Sequence, residues 1–301
     1  MTPGRTGSTL GDDSGVCHSK RMQFWSGTAF LPTRDLTTIA ALLDEHGFTG
    51  VFTSDHLIYP RELRTPYPLT GDKPPWPPET EWPDSWVTIG ALAAVTTRLR
   101  FSNAVYIAGA RPLLEVAKQV ATAATLSDGR VSLAIGTGWM REEFELLGQD
   151  FDNRGPRTTE MIHALRALWQ GGWVSWQGEH YAVPEIMIEP HPPAPVPILC
   201  GGESDVALKR AARDCDGWVG TYYTWDAAVA IIGRLKELRQ RYGRADEPFE
   251  VIVSLSDPPS ADLYRRAEDI GITGVMCAPW RGDRYREGIE RFAEEIITRC
   301  G

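Results

Sequence analysis

Short apolar runs alternate with longer amphipathic stretches along most of the chain. Residues 131–135 have the alternation of a buried strand, and a polar helical pattern at 141–147 follows after a glycine turn. Residues 48–53 form a similar run, preceded at 35–46 by apolar residues at helical spacing. The complete pattern predicts eight strands, each followed by a helix. Eight such units in 301 residues favour an α/β fold of the closed (β/α)8 (TIM) barrel type, with an open doubly wound sheet as the alternative.

Two stretches depart from this regular alternation. Residues 57–85 contain eight prolines, which prohibit regular structure, and they also carry Trp76 and Trp82. A loop of this length and aromatic content after the second strand favours a lid over a flexible linker. Residues 171–183 alternate around a Gln-Gly turn, which predicts a hairpin before the fifth strand.

The first 21 residues are rich in Gly, Ser, Thr and Asp. We expect them to form a disordered N-terminal extension, and residues 22–301 to form a single barrel domain. They lack the apolar core of a secretory signal, and no stretch approaches the ~20 apolar residues of a transmembrane helix. These patterns predict a cytoplasmic protein without a membrane partner.

The charge and cysteine content exclude further classes. Lys and Arg total 31 against 40 Asp and Glu, a net charge of −9, which argues against nucleic acid as a partner. The five cysteines are scattered without a CxxC pair, and no His and carboxylate residues have metal-ligand spacing. We therefore expect reduced thiols and no metal. The first βα turn has no GxGxxG motif, which disfavours a Rossmann fold that binds a nicotinamide cofactor. The sequence also has no GxSxG nucleophile elbow, which disfavours an α/β-hydrolase.

In a barrel, ligand chemistry lies at the carboxyl ends of the strands. Asp55 and His56 directly follow the second strand, and imidazole is the side chain whose ordinary pKa lies nearest neutrality. We therefore take His56 as the acid–base candidate. Asp55 would orient it or accept a hydrogen bond from a heterocyclic N–H. The alternative is a histidine that only hydrogen-bonds the barrel rim.

Two glycine turns lie at the same predicted rim. Gly136-Thr137-Gly138 and Gly201-Gly202-Glu203-Ser204 each end a strand and open a helix. Free backbone amides and a helix N-terminus together favour phosphate binding. Each turn alone is also compatible with an ordinary βα connection, the second one capped by Ser204 or Asp205. Two such turns on neighbouring strands favour one elongated, phosphate-bearing ligand.

Five segments resemble the bacterial luciferase-like monooxygenases and, within that family, the deazaflavin-dependent oxidoreductases. Together they cover most of residues 46–220, whereas residues 225–301 match in general character only. The segments are HGFTGVFTSDHL (46–57), WVTIGALAAVTTRLRFSNAV (86–105), AKQVATAATLSDGRVSLAIGTGWMREEFELLG (117–148), RGPRTTEMIHALRALW (154–169) and PILCGGESDVALKRAARDCDGWVG (197–220).

The resemblance implies a (β/α)8 barrel that holds a flavin or deazaflavin across its carboxyl rim without a metal. It also implies an Asp-His pair near the reactive ring and a non-proline cis peptide at Ala104-Val105 that backs the ring. The glycine pair after the fifth strand would offer amides to the cofactor phosphate. The cofactor-binding residues implied in this way are Asp55, Asn103, Ala104, Val105, Thr137, Gly138, Trp139, Met140, Gly201, Gly202 and Glu203.

The Asp-His pair and the GTGW turn are more similar to the branch that uses coenzyme F420, with FMN as the alternative cofactor. The acidic tail of F420 would suit cations at the rim, for which the candidates are Arg61, Arg64, Arg111 and Arg141. The alternative is that these arginines are solvated surface charges.

These features lead to the hypothesis of an enzyme that transfers a hydride between F420 and a small to medium organic substrate. His56 and Asp55 would be catalytic, and Trp25, Trp76 and Trp82 would contact the substrate. One alternative is a two-component FMN-dependent monooxygenase that receives reduced flavin from a partner reductase. Another is a barrel that binds a cofactor without turnover. Family members are often homodimers, so we expect one here.

Overall fold

The computed structural model describes residues 21–300, so the predicted extension lies, except for Arg21, outside the described residues. The strands within this range are β1 (Gln23–Gly27), β2 (Gly50–Thr53), β3 (Arg100–Asn103), β4 (Leu133–Ile135), β5 (Trp173–Gln177), β6 (Ala182–Met187), β7 (Ile198–Gly201), β8 (Gly217–Tyr223), β9 (Glu250–Leu255) and β10 (Gly274–Cys277). The helices are α1 (Leu36–Glu45), α2 (Ser85–Ala94), α3 (Leu113–Leu126), α4 (Arg141–Leu146), α5 (Arg154–Leu168), α6 (Asp205–Asp214), α7 (Trp225–Arg241), α8 (Ala261–Asp269) and α9 (Tyr285–Glu295).

Eight parallel strands form the barrel, in the order β3-β2-β1-β10-β9-β8-β7-β4. Isolated parallel bridges join Phe101 to Val131 and Tyr106 to Ile135, so β3 also lies beside β4 and the ring closes. The predicted (β/α)8 barrel is confirmed, and the doubly wound alternative is wrong. Strands β5 and β6 pair antiparallel outside the ring, as the predicted hairpin. None of the helices between residues 21 and 300 combines the length and apolar character needed to span a bilayer.

Apolar side chains fill the inside of the barrel. The interior cluster consists of Trp25, Phe52, Ala134, Leu199, Val219 and Ile252. The Trp25 side chain is fully buried, and its Nε1 donates to the Gln23 side chain at 3.0 Å. The Arg100 guanidinium lies over the same ring. Gln23 and Arg100 begin β1 and β3, so the indole extends toward the amino-terminal end of the barrel.

The hypothesis that Trp25 contacts the substrate at the carboxyl rim therefore does not fit its position. The side chain of an inward-facing tryptophan can extend toward either end of the barrel, and here the neighbouring strand β2 determines which. Gly50 leaves room for the indole, since a Cβ there would overlap the Trp25 ring. Trp25 thus supports the barrel from within.

Ala104 and Val105 cover the carboxyl end of the interior cluster. The peptide bond between them is cis, as the resemblance implies. The Val105 side chain lies between Gly136 at the end of β4 and Gly201 at the end of β7. A Cβ on either glycine would overlap a Val105 methyl group. Packing around Val105 thus requires glycine at these two positions, whether or not a ligand approaches their backbone.

We expect Gly201→Ala to lower the free energy of unfolding by about 1–3 kcal/mol, because the added methyl overpacks against Val105. In a Val105→Ala background the same change should cost much less, giving a coupling of about 1 kcal/mol or more in a double-mutant cycle. Urea unfolding of the four proteins measures this.

Gly233→Ala is the matched control, because Gly233 lies in α7 with open space around its Cα. This change should be neutral or stabilise by up to about 1 kcal/mol. Strict additivity of Gly201→Ala and Val105→Ala would contradict the packing argument.

Candidate functional site

Asp55 follows β2 at the carboxyl rim and is buried. Its Oδ1 accepts from Arg111 Nη2 at 2.7 Å, while its Oδ2 accepts from Arg111 Nη1 at 2.9 Å and from the Ile107 N–H at 2.8 Å. Burial raises the pKa of the Asp55 carboxyl, and the Arg111 guanidinium opposes that rise. The Asp55 carboxylate is thus directed at Arg111 and the Ile107 backbone. The hypothesis that it orients His56 does not fit this geometry.

His56 lies beside a different carboxylate. Its Nδ1 is 3.4 Å from Glu143 Oε1, and the same Glu143 oxygen accepts the Leu57 N–H at 2.8 Å. Glu143 lies in the first turn of α4 and is 4% exposed. Glu143 does not stand out as a site residue in the sequence, because acidic residues are common in the first turn of any helix. The one available signal was its position a few residues after the first glycine turn.

Aromatic rings surround the His56 imidazole. Its centroid lies 5.3 Å from Trp76, 5.2 Å from Trp82 and 6.0 Å from Trp139. Further ring contacts at 5.1–6.0 Å extend the group to Tyr67 and Phe30. We call these five rings, Phe30, Tyr67, Trp76, Trp82 and Trp139, the aromatic cluster. The two lid tryptophans predicted to contact substrate therefore lie against the predicted acid–base residue.

The lid runs between β2 and α2 without helix or strand and is held at α4. Glu142 Oε1 accepts the N–H groups of Arg64 at 2.7 Å and of Thr65 at 3.1 Å. Its Oε2 accepts the Thr65 hydroxyl at 2.8 Å. These bonds outweigh burial and keep the pKa of Glu142 below its usual value. Two adjacent glutamates in the first turn of α4 thus bind two segments. Glu142 binds the lid, and Glu143 binds the Leu57 N–H next to His56.

The first glycine turn, Gly136–Gly138, lies beside the aromatic cluster, because the next residue, Trp139, belongs to that cluster. Gly138 has φ +75°, and a Cβ there would press on Ile107 and Phe144. Thr137 and Trp139 are half-buried, so both present surface at the rim. Met140 is 1% exposed, so its side chain belongs to the core and does not line the rim.

The second glycine turn presents free amides. No acceptor among residues 21–300 takes the N–H groups of Gly202, Glu203 or Ser204. Gly202 is exposed at φ +98°, and Ser204 caps α6 by accepting from the Ala207 N–H at 3.3 Å. Gly201 is buried against Val105.

Glu203 accepts the Tyr223 hydroxyl at 3.2 Å. Burial raises the pKa of Tyr223, which keeps this donor protonated. The carboxylate adds negative charge beside the free amides.

Asn103 ends β3 beneath the Ala104-Val105 segment and is fully buried. Its Nδ2 donates to Thr53 Oγ1 at 3.0 Å, which links the ends of β2 and β3. Its Oδ1 has no partner within the described part of the chain. The side chain thus supports the rim from below and leaves one acceptor unpaired there.

The rim arginines are mostly paired with carboxylates. Arg111 binds Asp55, Arg64 binds Glu145 at 2.6 Å and Arg141 binds Asp152 at 2.6 Å. Among the described residues, Arg61 forms no ion pair, and no group of three His, Cys, Asp or Glu could hold a metal ion. The sequence offers Arg61, Arg64, Arg111 and Arg141 as cations for the acidic tail of F420. The carboxylate pairing of Arg64, Arg111 and Arg141 does not fit that expectation.

Comparisons with known proteins agree with this architecture. A family model described as luciferase-like monooxygenase matches residues 13–256. The uncharacterised protein Rv0940c of Mycobacterium tuberculosis is 37% identical over 272 residues, which cover 87% of this chain and 94% of that protein. Pyrimidine monooxygenase RutA of Methylobacterium radiotolerans is 32% identical over 183 residues, 58% of this chain and 48% of that protein.

The fold is also similar to that of a solved enzyme. The coenzyme F420-dependent tetrahydromethanopterin reductase from Methanopyrus kandleri superposes with a TM-score of 0.74 at 12% identity, covering 93% of this chain and all of that one. The family match over most of the chain and the identity to Rv0940c go beyond likeness of fold. The chain belongs to the luciferase-like monooxygenase family.

Proposed function

We propose that the protein is a coenzyme F420-dependent oxidoreductase that transfers a hydride between the deazaflavin and a small to medium organic substrate. The observation that carries the proposal is the grouping of three features at the carboxyl ends of β2, β3 and β7. These are the apolar Ala104-Val105 surface, the His56 imidazole inside the aromatic cluster, and the free amides that precede α6. The likeness to an F420-dependent reductase supports it through the fold.

The residues present fit a planar cofactor with a phosphate. Ala104 and Val105 are half-buried above the interior cluster, so they offer an apolar surface to a ring. The free N–H groups of Gly202, Glu203 and Ser204 lie at a helix N-terminus, where an anion is stabilised. A bound deazaflavin would supply the hydride donor or acceptor, and the protein supplies position and proton management.

His56 is the residue that we assign to proton transfer. Its Nδ1 is buried against Glu143, whereas its Nε2 makes no hydrogen bond within residues 21–300 and is not enclosed. Nε2 is thus the atom that can give a proton to, or take one from, a substrate oxygen or nitrogen. The rings of the aromatic cluster pack against the imidazole and make its surroundings less polar, which strengthens electrostatic interactions there.

A second candidate is an FMN-dependent monooxygenase supplied with reduced flavin by a partner reductase. The paired rim arginines favour it, because Arg64, Arg111 and Arg141 each already bind a carboxylate, with which an acidic oligoglutamate tail would have to compete. The likeness to pyrimidine monooxygenase RutA points in the same direction. Oxygen consumption with reduced flavin would distinguish it from hydride transfer.

Titration with each cofactor tests the proposal directly. We expect F420 to raise the melting temperature by several degrees, since a ligand at 100 times its Kd stabilises the folded state by about 2.7 kcal/mol. FMN should give a smaller shift, and NADP, measured as a control, none. A larger shift with FMN would favour the monooxygenase, and no shift with either would overturn both functions.

Replacement of the proposed proton-transfer residue tests the chemistry. His56→Gln should lower kcat about a hundredfold or more on a substrate that the wild type turns over, while the F420 Kd stays within about threefold. His191→Gln is the matched control, because His191 also lies 3.1 Å from a carboxylate but is exposed on a connector. Equal kcat values in both variants would remove His56 from the mechanism.

A further inference from the structure

The buried Nδ1 of His56 lies beside the buried carboxylate of Glu143 and makes no hydrogen bond within residues 21–300. The Glu143 carboxylate is 4% exposed, and a buried carboxylate is costly unless donors surround it. The Leu57 N–H is one donor to its Oε1, at 2.8 Å. His56 Nδ1 lies 3.4 Å from the same oxygen, so a proton on Nδ1 would bring positive charge toward this carboxylate.

Other charged groups near the imidazole are already engaged. Asp55, the preceding residue, is held by Arg111 and the Ile107 N–H. The lid contributes tryptophan rings and the Tyr67 phenol, and α4 contributes Glu143. Within residues 21–300, Glu143 is the one carboxylate within 4 Å of a His56 ring nitrogen.

From this geometry we infer that Glu143 is a positioning residue that fixes the His56 proton on Nδ1 and leaves Nε2 as the reactive atom. A lone pair on Nδ1 would lie 3.4 Å from a carboxylate oxygen and be repelled by its charge, so the tautomer with the proton on Nδ1 is favoured. The carboxylate then also stabilises the imidazolium that forms when Nε2 accepts a proton. The catalytic consequence rests on the proposed function, but the tautomer does not.

Glu142 provides a matched comparison in the same turn. Its carboxylate binds the lid at Arg64 and Thr65 and makes no contact with His56. Glu143→Gln keeps an oxygen for the Leu57 N–H but removes the charge, and Glu142→Gln removes the same charge one residue away. The two variants therefore separate control of the histidine from attachment of the lid.

The test is the histidine tautomer, read from long-range proton–nitrogen correlations in the uniformly nitrogen-15-labelled full chain without cofactor. His56→Gln identifies the His56 signals by their loss. We expect the wild type above neutral pH to carry the proton on Nδ1 alone. Glu143→Gln should populate both tautomers, and Glu142→Gln should keep the wild-type form. A wild-type proton on Nε2 overturns the inference without recourse to any variant.

Kinetics on an active substrate provide the second readout. Glu143→Gln should lower kcat about 10- to 100-fold with KM within about twofold, the size of effect that outer-shell partners have. Glu142→Gln should change KM more than kcat, because it frees the lid. If neither cofactor binds but the tautomer is as expected, the proposed function fails and the positioning by Glu143 stands. If the wild type binds a cofactor but populates both tautomers, the positioning by Glu143 fails and the proposed function stands.

Discussion

The arrangement of the rim depends on the buried ion pair between Asp55 and Arg111. The Asp55 carboxylate accepts two hydrogen bonds from the Arg111 guanidinium and one from the Ile107 N–H. These bonds join the segment after β2 to the segment after β3. Removing two charges from water is costly, and geometry of this quality is what offsets that cost. The pair contributes position more than stability, since it fixes Ile107 two residues after Val105. Val105 in turn fits between two strand ends that have glycine.

The site is assembled from this fixed point outward. His56 follows Asp55 directly, so the direction of its backbone is set by the same ion pair. The first turn of α4 then reaches back across the rim, with Glu143 at Leu57 and Glu142 at the lid. A long loop without secondary structure is thus held by carboxylates on a helix that itself follows the glycine turn of β4. Loop attachment and histidine orientation share one structural support.

The sequence predicted the fold because its signals are local. Periods of two and 3.6 residues, with glycines and prolines as boundaries, sufficed for eight βα units and for the hairpin. The lid and the position of His56 followed from the same pattern together with the rule for barrel rims. The partners of Asp55 and His56 did not, because Arg111 and Glu143 are 56 and 86 residues away from the segments that they bind. Periodicity carries no information on such pairs.

The glycine turns show why one residue type supports two interpretations. Gly201 has a packing reason in Val105, whereas Gly202 is exposed and followed by amides without acceptors. An anion at those amides would also meet Glu203 and Asp205, the latter already paired with Lys209 and Arg234. Because a phosphate is common to F420 and FMN, this end of the rim discriminates poorly between them. A preference for one of the two proposed cofactors would have to arise elsewhere on the rim, where Arg64, Arg111 and Arg141 are each paired with a carboxylate.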